Sequence, residues 1–118
     1  MDRERINTVE NAKKHIEEKY LEFTSVKDLE KELAAPENKL GSDFKFYFGK
    51  EIKEFVDELK FEHLKAEMLK NREEGVSGLY YARILKFKND PVFYNFVHRM
   101  SGLRFTEFAE KLYNGECQ

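Results

Sequence analysis

Apolar residues recur at helical spacing through the stretch from Glu51 to Asn71. The positions that share this spacing are Ile52, Phe55, Val56, Leu59, Leu64, Met68 and Leu69. Gaps of three to five residues lie close to the 3.6-residue period of one helix face, and charged residues fill the opposite face. A helix of 21 residues extends roughly 30 Å. The pattern therefore predicts one long helix in the middle of the chain.

The sequence on the two sides of this helix repeats. At an offset of 53 residues the pairs are Leu40 with Phe93, Phe44 with Val97, Gly49 with Gly102, Ile52 with Phe105, Phe55 with Phe108 and Leu59 with Leu112. Upstream, at an offset of 52, the pairs are Leu29 with Tyr81 and Leu33 with Leu85. A one-residue slip in a connecting turn explains the change of offset. Because repeated segments form repeated structural units, we expect the same helical unit twice, with chance agreement among apolar positions as the alternative.

Capping residues at the usual spacings predict six further helices. In the first half they run from about Asn7 to Tyr20, from Ser25 to Leu33 and from Pro36 to Gly49. In the second half they start at Ser77, at Asp90-Pro91 and at about Phe105, and the last two end at Gly102 and Tyr113. A short helix, a turn and a second helix form a helix-turn-helix, and this order occurs twice. The sequence thus predicts an all-α domain of seven helices, with two helix-turn-helix units joined by one long helix.

Composition agrees with a small helical protein. A chain of 118 residues with 41% hydrophobic content suits one domain or two very small lobes, and the 37% of charged residues with only two Pro favours helix. The chain has no apolar run near 18 residues and no signal-peptide pattern, so we expect a soluble, cytoplasmic protein without a membrane partner. The single cysteine, Cys117, can form no internal disulfide, and one Cys with three scattered His argues against a metal site.

Motifs of enzymes are absent from the sequence. It contains no Gly-rich phosphate loop, no nucleophile elbow, no paired metal ligands and no convergent Ser/His/Asp set. Core packing explains the aromatic runs Tyr80-Tyr81 and Phe46-Tyr47-Phe48 more simply than base stacking does. We therefore expect no enzymatic activity and no cofactor.

The order and spacing of these elements resemble the DNA-binding domain of the AraC/XylS family of bacterial transcription regulators. The residues that carry the resemblance are Ser25 to Leu29 with Leu33, Leu40 with Phe44 and Gly49, the long helix, and Ala82, Leu85, Phe87, Phe93, Gly102 and Phe108. The resemblance covers residues 6–113. It implies a homeodomain-like tandem, with a first unit at about 6–49, a linker helix at about 51–71 and a second unit at about 76–113. It also implies a sequence-specific regulator whose two recognition helices enter successive major-groove segments roughly 34 Å apart.

The resemblance also assigns DNA-contacting residues. In the first unit these are Asn38, Lys39, Ser42 and Lys45, and in the second unit they are Lys88, Val92, Asn95, His98 and Arg99. Asn suits adenine, Arg or Lys suits guanine, and Val suits the thymine methyl group. Lys45, His98 and Arg99 could equally contact phosphates, which position a protein without reading sequence. Each of these residues could also be an ordinary solvated residue on a helix surface.

Several residues depart from the family pattern. Family members commonly carry Arg at the positions of Ser42 and Asn95. Glu30 stands where a small Ala usually packs under the recognition helix, a position that Ala82 keeps in the second copy. The turn positions that usually hold Gly are Ala34 and Lys86, and Gly41 inside a helix costs about 1 kcal/mol relative to Ala. These departures predict that the first unit reads DNA weakly or not at all.

Charge is unevenly spread over a chain of net charge −2. Residues 76–106 hold five basic side chains and one acidic one, a local charge of +4, whereas residues 51–75 have a local charge of −3 and residues 36–50 of +1. The second unit is therefore expected to supply most of the attraction to phosphates.

An alternative function follows from the same charges. In it, the fold has lost DNA contact and acts as a protein-binding module, holding a partner such as RNA polymerase through its acidic linker helix or through Phe46 and Tyr47. In either case the isolated domain is expected to be a monomer.

Overall fold

The structure, a computed structural model, describes residues 2–115, so Cys117 and the prediction made for it lie outside the described residues. Residues 2–115 form α-helices and short 3-10 helices and contain no strand. The α-helices are α1 (Arg3–Lys19), α2 (Val26–Glu32), α3 (Leu40–Phe48), α4 (Ile52–Lys70), α5 (Gly78–Ile84), α6 (Asp90–Ser101) and α7 (Phe105–Tyr113). The predicted all-α fold of seven helices is confirmed.

The first helix, α1, begins four residues before Asn7, its predicted start. The Asp2 carboxylate accepts a hydrogen bond from the Arg5 backbone N–H at 2.9 Å, so Asp2 is the N-cap and Asn7 lies inside the helix. The start predicted at Asn7 was wrong because Asp2 offers the same cap earlier and good helix formers follow it.

The third helix, α3, begins at Leu40 and not at Pro36. Asn38 has a φ of +61°, which is left-handed backbone, and residues 37–39 form a turn. Asn is among the few residues other than Gly that tolerate this conformation. The start predicted at Pro36 was therefore wrong. As a consequence, Asn38 and Lys39 precede the helix on which they were placed.

The long helix, α4, runs without a break from Ile52 to Lys70, close to the predicted span. The described residues form two compact lobes that divide between Leu59 and Lys60, inside α4. In the N-terminal lobe, the buried residues are Val9, Ala12, Ile16, Leu29, Leu40, Phe44, Ile52 and Val56. In the C-terminal lobe, the buried apolar residues are Phe61, Leu64, Met68, Tyr81, Ala82, Leu85, Phe93, Phe96, Val97, Phe108 and Leu112. Each part of α4 thus helps to build the core of its own lobe.

Helix starts in the second half follow the predictions with one correction. Ser77 precedes α5, although its side chain makes no capping hydrogen bond. The N-cap of α6 is Asn89 and not Asp90, because Asn89 Oδ1 accepts a hydrogen bond from the Val92 N–H at 3.0 Å. Asp90 and Pro91 then occupy the first two helical positions, which suit an acidic residue and Pro.

The turns of the two helix-turn-helix units close with matching backbone hydrogen bonds. These bonds run from Ala35 N to Glu30 O at 2.9 Å and Ala34 N to Lys31 O at 3.2 Å after α2, and from Phe87 N to Ala82 O at 2.9 Å and Lys86 N to Arg83 O at 3.0 Å after α5. Such a pair of bonds defines the Schellman motif, whose closing residue is left-handed and usually Gly. Here that residue is Ala34, with φ of +52°, or Lys86, with φ of +59°.

The predicted repeat also appears in the helix ends. α3 ends at Gly49, with φ of +80°, and α6 ends at Gly102, with φ of +78°. The next helices begin at Ile52 and Phe105. Both pairs keep the offset of 53 residues, whereas the Schellman turns keep the offset of 52. The one-residue slip therefore lies between the turn and the body of the second helix.

One buried polar group lacks a well-formed hydrogen bond. Tyr81 is 0% exposed, and no hydrogen bond between its hydroxyl and a described residue has good distance and angle, although the Asn71 and Tyr113 side chains lie close enough to affect it. Burial first, and Tyr113 next, raises the pKa of this hydroxyl from 10.0 to about 12, while Asn71 opposes the rise. A buried hydroxyl without a good hydrogen bond costs free energy, so the Tyr81 hydroxyl adds little to the stability of the C-terminal lobe.

Residues 2–115 contain neither a candidate membrane-spanning helix nor a candidate metal site. None of these helices is both long and apolar enough to cross a membrane. No group of three or more His, Cys, Asp or Glu side chains comes together there as a possible metal site.

Replacing the left-handed residue of either turn by Gly should stabilise the protein. We expect Ala34→Gly and Lys86→Gly each to raise the free energy of unfolding by about 0.5–1 kcal/mol, because the relief of left-handed strain, about 1–2 kcal/mol, exceeds the entropy that Gly loses on folding. Urea unfolding followed by circular dichroism measures this. Ala35→Gly is the control, since Ala35 is not left-handed, and it should be neutral or destabilising. An equal increase in the free energy of unfolding for Ala34→Gly and Ala35→Gly would contradict the inference that Ala34 is strained.

Removing the Tyr81 hydroxyl should not destabilise the fold. Tyr81→Phe is expected to leave the free energy of unfolding unchanged or to raise it by up to about 1 kcal/mol. Because the folded pKa is raised, the original protein should also lose stability as the pH rises from 10.0 toward about 12, and the variant should lose less. The exposed neighbour offers a control, Tyr80→Phe, which should keep the alkaline loss. A clear destabilisation by Tyr81→Phe would indicate that the hydroxyl makes a stabilising hydrogen bond.

Candidate nucleic-acid interface

The exposed side of α6 carries four of the predicted DNA-contacting residues. The Asn89 cap begins this helix and Gly102 ends it, with the Gly102 N–H donating to the His98 carbonyl at 2.8 Å. Phe93, Phe96 and Val97 are buried. Opposite this buried side, Val92, Asn95, His98 and Arg99 are all exposed. The spacing of Val92, Asn95 and Arg99 places them on one face.

The side chains on this face differ in what they can bind. The Asn95 amide both donates and accepts hydrogen bonds, as the edge of adenine requires, and Val92, which is 43% exposed, offers an apolar surface. The Arg99 guanidinium lies 5.6 Å from the centre of the Phe96 ring, a cation–π contact that favours an ordered position at the helix surface. Lys88 is exposed in the loop just before the Asn89 cap.

The predicted residues of the first unit are arranged differently. Ser42 and Lys45 lie on the exposed side of α3, while Asn38 and Lys39 are exposed in the turn before it. The Ser42 hydroxyl donates to the Lys39 carbonyl at 3.1 Å. Because this bond engages the hydroxyl with the protein's own backbone, Ser42 offers less to a ligand than the Asn95 amide does.

Carboxylates partly neutralise the lysines near α3. Lys45 Nζ lies 3.6 Å from Glu51 Oε1. Lys50 Nζ lies 2.5 Å from Glu58 Oε1 and 3.0 Å from Glu58 Oε2. These side chains are substantially exposed, so each pair is weak. The pairs nevertheless lower the positive potential beside α3.

Glu30, which stands where the resembled family usually has a small Ala, has a structural role. Glu30 is only 5% exposed, and its Oε2 accepts a hydrogen bond from the Leu40 backbone N–H at 3.3 Å. The N-cap residue of α3, Lys39, provides no side-chain cap. Glu30 therefore binds an N–H of the first turn of α3 from the preceding helix, as Asn89 binds one within its own helix. The carboxylate also suits the positive end of the helix dipole.

An ion pair holds the same turn of α3 against α1. The Arg5 guanidinium donates from Nε to Asp43 Oδ2 at 3.0 Å and from Nη2 to Asp43 Oδ1. Asp43 is buried within the first turns of α3, whereas Arg5 is about half exposed. These hydrogen bonds hold the pKa of Asp43 below its usual value. Two-pronged geometry of this kind fixes orientation as well as distance.

The structure exposes an aromatic residue that core packing was expected to cover. Phe46 is 77% exposed and Tyr47 is 42% exposed, whereas Phe48 packs against the core of the N-terminal lobe. For the second aromatic run, Tyr81 is buried and Tyr80 is 45% exposed. The core interpretation was thus wrong for Phe46, Tyr47 and Tyr80 and right for Phe48 and Tyr81. Helical phase could have revealed this, because Phe46 lies two residues from both inward positions, Phe44 and Phe48.

The Arg5–Asp43 pair should make the fold sensitive to acid. The folded pKa of Asp43 is lowered, so its contribution to stability is present above the unfolded value of 3.8 and is lost as the pH falls through the folded pKa. We expect Asp43→Asn to be less stable near neutral pH and to lose less stability on acidification. Urea midpoints across this pH range measure both effects. Arg5→Gln should lower the stability in the same way. The double variant Arg5→Gln, Asp43→Asn should be little less stable than either single variant, because both remove the same ion pair. An unchanged acid profile in Asp43→Asn would contradict the assignment.

Comparisons with known proteins give no further constraint. No protein-family model, no curated protein and no solved structure matches this chain. A function must therefore be inferred from the side chains that α3 and α6 expose.

Proposed function

We propose that this chain is a sequence-specific DNA-binding transcription regulator of the AraC/XylS type, in which α3 and α6 are the recognition helices. The observation that carries the proposal is the repeated helix pair: each unit has a Schellman-closed first helix followed by a second helix with one buried and one exposed side. The second helix of such a motif is the one that reads the major groove.

The residues on α6 support a reading role. Asn95, Arg99 and Val92 share one exposed face and match the edges of adenine, guanine and thymine respectively. A mixed set of this kind can discriminate bases, whereas a face of lysines alone would bind any phosphate backbone. Each good two-pronged contact contributes about 1–3 kcal/mol of discrimination.

The charge distribution supports a division between the two units. The segment 76–106 has a local charge of +4, while Lys45 and Lys50 in the first unit are paired with carboxylates. The second unit would then provide most of the counterion release on binding DNA. The first unit would contribute contacts of other kinds.

A second candidate function is that of a protein-binding module, with RNA polymerase as one such partner. The specific observation in its favour is the exposure of Phe46 and Tyr47 on α3, since exposed aromatic residues are enriched at protein interfaces.

A mobility-shift titration separates these two functions. Random duplex DNA is titrated with the full chain at low salt and then at increasing salt. The DNA function predicts retardation that weakens steeply as salt is added. Absence of retardation at micromolar protein would count against DNA binding and favour the protein-binding module.

Replacing two cations of the second unit should flatten the salt dependence. We expect Lys88→Ala combined with Arg99→Ala to reduce the slope of log K against log salt by about one if Arg99 reads guanine and by about two if it contacts a phosphate, since each lost phosphate contact removes about one. Fluorescence anisotropy with a labelled duplex at several salt concentrations gives this slope.

The control removes the same charge elsewhere. Lys14 on α1 and Lys111 on α7 are exposed, and the double substitution Lys14→Ala, Lys111→Ala should leave the slope nearly unchanged. If both double variants flatten the slope equally, the effect reflects net charge alone and the second unit has no special role.

A further inference from the structure

The most exposed large apolar residue of the described chain is Phe46, at 77%. Leaving a Phe side chain in water forgoes roughly 1.5–3 kcal/mol of burial energy. Phe44 and Phe48, each two residues from Phe46 and so on the opposite side of the helix, pack inward. Phe46 therefore contributes nothing comparable to the core of the N-terminal lobe, and its exposed ring is available to a ligand.

The internal repeat gives this position a counterpart. At the offset of 53 residues that relates α3 to α6, Phe46 corresponds to Arg99 and Ser42 corresponds to Asn95. Ser42 and Phe46 lie four residues apart on α3, as Asn95 and Arg99 do on α6, so each pair occupies one face of its helix. Phe46 thus stands on the candidate reading face and at the register of a candidate reader.

We propose that Phe46 is a specificity-determining residue that contacts the 5-methyl group of a thymine in the half-site of the first unit. This inference rests on the proposed DNA-binding function. A phenyl ring can make no hydrogen bond to a base edge, and the thymine methyl is the apolar group in the major groove. Ser42, whose hydroxyl is bound to the Lys39 carbonyl, leaves Phe46 as the main discriminating side chain of α3.

The surroundings of Phe46 suit a nucleic acid. A shallow depression beside the ring is lined by Arg5, Ser42, Asp43 and Phe46. The Arg5 side chain is 51% exposed and the Asp43 side chain only 11%, so the cation of this pair faces the solvent more than the anion does. Lys39 and Lys45 are also exposed nearby on the chain, although Lys45 is paired with Glu51. An apolar ring with cations beside it can contact a base while the cations approach phosphates.

The same ring could instead dock a protein, and the test below separates the two. The repeat favours contact with DNA, because both copies of the motif would use the same positions toward the groove.

The test replaces thymine by deoxyuridine, which removes only the methyl group. A site is first selected from random duplex DNA with the original chain, and each thymine in it is then changed singly to deoxyuridine. At one or two positions in one half-site, binding should weaken roughly four-fold, the effect of one buried methyl. Phe46→Ala should weaken binding to the thymine site similarly and should lose the sensitivity to deoxyuridine at those positions.

Two further variants sharpen the result. Arg99→Ala should keep the deoxyuridine sensitivity, because it lies in the other unit. Phe46→Arg should change the base selected at the same position from thymine to guanine. Circular dichroism and thermal unfolding verify that each variant is folded, which the exposure of residue 46 favours.

The outcomes separate this inference from the proposed function. If the original chain binds no duplex DNA, the proposed function fails and this inference fails with it. If the chain selects a site, but Phe46→Ala keeps the full deoxyuridine sensitivity, the inference alone is overturned and DNA binding stands. The latter result would leave protein docking as the role of the exposed ring.

Discussion

Each helix-turn-helix unit depends on the two backbone hydrogen bonds that close its first helix. These bonds set the direction in which the chain leaves α2 or α5, and hence the side of α3 or α6 that packs inward. Because they join backbone groups, the turn forms even with Ala34 and Lys86 in a conformation that suits Gly. The exposed candidate residues of α3 and α6, which are Ser42, Lys45, Val92, Asn95, His98 and Arg99, are those that this geometry leaves outside the core.

The two units reach this geometry by different means. In the N-terminal lobe polar groups hold the second helix: Glu30 binds its first N–H and Arg5 binds Asp43. In the C-terminal lobe the helix carries its own cap, Asn89, and aromatic packing dominates. The ring centres of Phe61 and Phe108 lie 5.3 Å apart, and those of Phe87 and Phe96 lie 4.9 Å apart. A buried carboxylate under α3 is thus a replacement for a missing cap.

The same contrast extends to the proposed function. Cations and hydrogen-bonding side chains are concentrated on and around α6, which suits attraction to phosphates and reading of polar base edges. Two lysines near α3, Lys45 and Lys50, are paired with carboxylates, and the most exposed large apolar side chain of α3 is a phenyl ring. In the proposed function, the second unit would therefore provide electrostatic attraction and the first unit an apolar contact.

The sequence by itself determined the seven helices, the long central one, the repeat and the helix ends at Gly49 and Gly102. It could do so because helical period and most caps involve residues within about one turn of each other. Only the tertiary structure decided where α3 begins, since its first N–H is bound by Glu30, ten residues earlier. It also revealed the Arg5–Asp43 pair, which joins residues 38 positions apart. Contacts between residues distant in sequence leave no local pattern, and for that reason the start of α3 could not be predicted from its own residues, whereas the exposure of Phe46 follows from helical phase.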